Sequence, residues 1–127
     1  MANPRHTYEL DELFVKRVTM AADSSLPFSR TAPYGTTSRF APVKITGNKT
    51  VGLCADGDVP FGALERIEAD GSAVVAWMGS VTYAGSATAG DPVVANGSGG
   101  VRAAVAGTDE GKGVAGTSEN GRVVVFQ

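Results

Sequence analysis

The sequence predicts an all-β fold: a small antiparallel β-barrel or sandwich of about eight short strands, with an extended N-terminal arm. Three observations predict it. Gly supplies 17 of the 127 residues, well above the usual share, and each interior Gly costs a helix about 1 kcal/mol relative to Ala. Short apolar runs alternate with turn-forming pairs through residues 51–127. Residues 23–42 are rich in Ser, Thr and Pro and follow neither the helical nor the strand period.

At the start, Thr7 is suited to cap a helix and is followed by Glu9, Asp11 and Glu12, acids that favour a helix N-terminus. Leu10, Phe14 and Val18 share a helical face, yet Phe14 to Met20 is β-branched and roughly alternating. A short helical turn followed by a strand is expected there. From Asp23 to Pro42 come isolated aromatics beside Pro: Pro27-Phe28, Pro33-Tyr34 and Phe40-Ala41-Pro42. Such a segment is expected to be an arm. It orders only where something holds it, since fixing the backbone costs about 1–2 kcal/mol per residue.

Three hairpins follow. Asp70-Gly71 separates Ile67-Glu68-Ala69 from Ser72-Ala73-Val74-Val75, Asn96 to Gly100 separates Pro92–Ala95 from Val101–Val105, and Asn120-Gly121 precedes Arg122-Val123-Val124-Val125-Phe126. Asn and Asp tolerate positive φ and Gly adopts it at no steric cost, so these pairs close tight turns. Gly57-Asp58-Val59-Pro60 and Gly90-Asp91-Pro92-Val93 hint at a weak internal repeat. Ala, Gly, Ser and Val imply a thin, curved core, with Trp77 and Phe61 as its large fillers.

The chain divides near Val51 into an arm region, residues 1–50, and a compact Gly-rich β domain, residues 51–127. The first has seven basic against four acidic residues, a net +3; the second has four against nine, a net −5. Five of the nine aromatics lie in the first part. The overall net charge of −2 excludes bulk attraction to nucleic acid. A single Cys (Cys54) and a single His (His6) exclude an intrachain disulfide framework and a Cys/His zinc site. No run approaches the ~18 apolar residues of a membrane helix, and the first residues contain no apolar signal core, so synthesis and folding in the cytoplasm are expected.

Motifs that suggest chemistry are weak. Gly111 to Gly116 matches G-x-G-x-x-G, but a dinucleotide site needs a strand before it and a helix after it, and the residues here read as turn and strand. Asp56-Gly57-Asp58 lacks the further oxygen ligands of a calcium loop. Cys54 sits in an apolar run, as an inert thiol does, and Glu65 with Glu68 is a carboxylate pair of the kind found on any surface. Asn48-Lys49-Thr50 and Asn96-Gly97-Ser98 are glycosylation triplets, meaningful only in a secretory route. No catalytic residue, cofactor or metal is expected.

In organisation the chain resembles the small capsid decoration, or cement, proteins of bacteriophages. The resemblance rests on Phe14 to Asp23 near the start, on Ala89-Gly90-Asp91-Pro92-Val93-Val94, on Gly113-Val114-Ala115-Gly116, and on the closing Val123-Val124-Val125-Phe126. Residues 24–42 match no motif of the family. The resemblance implies a virion protein, often a homo-trimer, seated on the outer surface of the head shell. There it would bridge neighbouring copies of the major capsid protein and resist the pressure of packaged DNA, with no membrane or nucleic-acid partner. Aromatics and Arg anchor flexible segments at interfaces. The expected partner-binding residues are therefore Phe14, Arg17, Phe28, Arg30, Tyr34, Arg39 and Phe40. Another phage component, such as a head-fibre base or tail protein, is the alternative, with a small ligand-binding barrel or enzyme behind it.

Overall fold

The computed structural model describes residues 15–26 and 39–127, and among these the fold is all-β. Ten strands run β1 (Lys16–Ala22), β2 (Pro42–Gly47), β3 (Thr50–Leu53), β4 (Gly62–Ile67), β5 (Ser72–Met78), β6 (Ser80–Ala84), β7 (Val93–Ala95), β8 (Val101–Ala103), β9 (Val114–Glu119) and β10 (Arg122–Phe126). The first five close into a barrel in the order β1-β3-β2-β4-β5. A three-stranded sheet, β6-β10-β9, and the ribbon β7-β8 complete the body. Every strand pairing is antiparallel except β1 with β3, where Ala21↔Thr50 and Ala22↔Val51 run parallel and seal the barrel.

The anticipated hairpins form. Glu68 N–H donates to the Ser72 carbonyl at 2.7 Å across Asp70-Gly71. Asn120 and Gly121 have φ of 55° and 73°, the double positive φ that suits a two-residue turn to the twist of β9 and β10. The ribbon closes through Asn96 N–H to the Gly100 carbonyl, 2.9 Å.

Strand alternation divides the apolar residues between two cores. Leu64 and Val75 point into the barrel with Val43, Val51, Ile67 and Ala73. Their neighbours Ala63 and Ala76 point the other way, against Val81, Tyr83, Val123 and Val125 of the three-stranded sheet. One pair of strands thus serves as wall to both cores, which explains why β5 is buried over four consecutive residues.

Two expectations are corrected. The barrel crosses the division drawn at Val51, because β1 and β2 belong to the same closed sheet as β3–β5. Val18, Met20 and Ala22 alternate inward onto the barrel core, and Leu26, in the segment read as arm, is itself buried there. Trp77 is not a core filler, and Phe61 packs against the barrel core only from a half-buried position; the two rings stack on each other, centroids 5.9 Å apart and planes 6° from parallel. The pairing of β1 with β5 skips Trp77, passing from Lys16↔Met78 to Arg17↔Ala76, and that irregularity takes the indole out of the inward alternation. The largest fully buried side chain is Tyr83. The helical turn expected over residues 7–13 lies outside the described residues.

Candidate functional site

Phe40 sits where the barrel meets the three-stranded sheet. Its N–H donates to the Leu64 carbonyl of β4 at 2.6 Å, and its own carbonyl accepts the Ala84 N–H of β6 at 2.9 Å. These two bonds hold it at φ 69°, a left-handed conformation that is an outlier for a bulky side chain. Such strain costs about 1–3 kcal/mol and persists only where the surroundings impose it. The ring is presented to two guanidinium groups: Arg39 at 4.6 Å and Arg122 at 4.3 Å from its centroid.

Beside this cluster, Arg17 of β1 reaches across β5 to Glu65 of β4, Nε to Oε2 2.7 Å. It can do so because residue 76, between them, is Ala, and because β4 bulges at Glu65, the register passing from Leu64↔Val75 to Arg66↔Val74. The extra residue keeps Leu64 and Ile67 inside while Glu65 faces the groove. The groove so formed has a volume of about 170 Å³ and is lined by Val15, Arg17, Arg39, Phe40, Glu65, Ala76, Ser80, Thr82 and Arg122. A second hollow of about 360 Å³ shares Thr82 and Arg122 with it and runs on over Val124, Thr117, Glu119 and Asn120. Together they run from the barrel–sheet junction onto the outer face of the β6-β10-β9 sheet.

Three of the expected binding residues, Arg17, Arg39 and Phe40, are therefore brought together in one groove. Phe14, Phe28, Arg30 and Tyr34 lie outside the described residues. Val15, which follows residues 1–14, and Arg39, which follows residues 27–38, both line that groove, whereas Leu26, which precedes residues 27–38, is buried in the barrel core. Arg122 was missed because it lies far along the chain in the acidic part; the signal was a lone cation opening a strand of three valines.

The weaker motifs resolve into structure. Lys112 bridges Val93 and Val114 begins β9, so the last glycine of residues 111–116, Gly116, lies within a strand where a cofactor site would need a helix. Asp56 and Asp109 both pair with Arg102, at 3.1 and 2.7 Å, and Asp58 pairs with Lys44 at 2.6 Å. Each of these carboxylates already has a cation, and the pairing with Lys44 holds the Asp58 carboxyl below the usual range. Glu65 and Glu68 are taken by Arg17 and Arg66, so they form no acid–base dyad. Cys54 is half-buried and its thiol is pushed up to about 12, mainly by burial and further by Asp58, which leaves it a poor nucleophile. His6 lies outside the described residues.

Comparison with known proteins adds no relative: no family model matches the chain, and no curated protein does.

Proposed function

We propose that this chain is a virion structural protein of the decoration type. It binds the outside of a phage head shell, bridges neighbouring copies of the major capsid protein and stabilises the shell against internal DNA pressure. It works by adhesion, without catalysis or cofactor, and as a homo-trimer, so that three modest contacts act together through high effective concentration.

The observation that carries this reading is the convergence on one groove. Val15, Arg17 and Arg39 line it beside a strained aromatic flanked by arginines. Arg and aromatic residues are enriched at protein interfaces, and backbone strain is concentrated at functional positions. The similarity of β1, β7, β9 and β10 to decoration-protein segments supports the shell as the surface engaged.

The test is to mix the purified protein with undecorated shells of the phage that encodes it, and to sediment the shells. Saturable co-sedimentation that raises the temperature of shell disruption is the expected result. A protein that stays in the supernatant at every concentration contradicts the proposal, and imaging that places it on a fibre base or tail would move it to another virion component.

A further inference from the structure

We infer that the groove beside Phe40 is a receptor for the carboxylates of an acidic segment on the partner protein, with Arg39 and Arg122 as its anion-binding pair. The identity of that partner rests on the decoration reading; the chemistry of the groove does not.

Among the described residues, Arg66 and Arg102 each hold a carboxylate, and Arg17 holds Glu65. Arg39 and Arg122 differ. Both lie against the Phe40 ring, 4.6 and 4.3 Å from its centroid, and neither has an ion pair with a described carboxylate. One ring thus gathers two like charges, at 4.6 and 4.3 Å from its centroid, with no carboxylate paired to either, and an arriving anion supplies the missing countercharge. Contact with the ring restrains both side chains, so less freedom is lost when an anion is bound. Phe40 is itself held in a left-handed conformation by bonds to Leu64 and Ala84. The lining adds the hydroxyl of Thr82.

The flanks select the kind of anion. Glu65 lies on one side, bound to Arg17, and Glu119 stands opposite Arg122 in the register of β9 with β10. A polyphosphate chain carries its charges on the backbone itself and cannot hold them clear of both carboxylates. The carboxylates of an extended acidic peptide stand on flexible side chains and can reach the two arginines while staying clear of Glu65 and Glu119, each matched to the fork of a guanidinium.

The probe is an N-acetylated, C-amidated tetraglutamate peptide, with tetraglutamine as control, titrated at low ionic strength against the full chain while the Arg Nε–Hε signals are followed by NMR. Saturable shifts at Arg39 and Arg122, with little change at Arg66, are expected. Binding should weaken about tenfold in Arg122→Gln and in Arg39→Gln, and by less in Arg122→Lys, which keeps charge but loses the fork. Inorganic phosphate and a short oligonucleotide form the other arms. Tighter binding of the oligonucleotide than of tetraglutamate would overturn the inference, as would equal shifts at every Arg or no response up to about 10 mM peptide. Shell binding separates the two claims. If the Arg39→Gln, Arg122→Gln double variant stays folded and binds shells as the parent does, the receptor fails and the decoration reading stands. If the parent takes tetraglutamate at Arg39 and Arg122 but ignores shells, the receptor stands and the decoration reading fails.

Discussion

The Tyr83 hydroxyl donates to the Oε1 of Gln127 at 2.8 Å. The same Gln127 side chain turns its amide nitrogen to the carbonyls of Trp77, at 2.8 Å, and Phe61, at 3.3 Å. Its main chain pairs with Gly79 in both directions, at 2.8 and 3.0 Å. One residue therefore ties the core of the three-stranded sheet to the barrel wall, and it fixes the junction over which the groove lies.

Replacing Tyr83 by Phe removes the hydroxyl from a fully buried site and leaves the Gln127 oxygen without its donor. A cost of about 1–2 kcal/mol is expected, seen as a fall of roughly 5 °C in Tm. A double-mutant cycle with Gln127→Ala should show a coupling of at least about 0.5 kcal/mol; additive effects would mean that the bond contributes nothing.

Two glycines should respond differently to Ala. Gly121 has φ 73° with open space around its Cβ position, so Gly121→Ala meets only backbone strain, about 1 kcal/mol. A Cβ on Gly62 would press into the Ala76 carbonyl and lie 2.7 Å from Val75 Cγ1, which forces β4 from β5. Gly62→Ala should cost about 2–3 kcal/mol in urea unfolding, and equal costs at the two positions would contradict the packing described.

Cys54 gives a pH dependence with a definite sign. An unfolded thiol loses its proton near pH ~8.5, while the folded one keeps it up to about 12. Across that window the unfolded chain binds fewer protons, so stability falls as pH rises. Cys54→Ala should flatten the alkaline fall between those values, and an unchanged slope would count against the burial of this thiol. At pH 8, labelling by iodoacetamide should be roughly three orders of magnitude slower in the native protein than in the urea-unfolded chain.

Phe40→Asn separates binding from folding. Asn tolerates the left-handed conformation, so relief of the backbone strain offsets much of the packing that the ring supplies at this half-buried position. Tm should move by only a few degrees, and shell binding should drop about tenfold once Arg39 and Arg122 have no aromatic platform. Parent-like binding by a folded Phe40→Asn protein would remove Phe40 from the interface.

The strands of the second half were legible because their turns carry their own mechanism: Asp70-Gly71 and Asn120-Gly121 dictate hairpins whatever the rest of the chain does. β1 and β2 were harder to read. Their burial comes from pairing with partners far along the chain, Val18 with Val75 and Pro42 with Ala63, and no local pattern encodes such pairs. Trp77 misled because size suggested a core residue, whereas an irregular pairing one residue wide decided its direction. At the groove, Arg17, Arg39 and Phe40 were recognisable by type, but Arg122 joins them only through the path of β10, and the Phe40 strain is visible only in its backbone angle.

The most direct test of the central claim is an electron cryomicroscopy reconstruction of the phage shell saturated with this protein. The account predicts protein density on the outer surface, with the face bearing Arg39, Phe40 and Arg122 turned against the shell and touching acidic residues of the capsid protein. Density in which that face points to solvent while another surface makes the attachment, or a shell that stays bare, would contradict it.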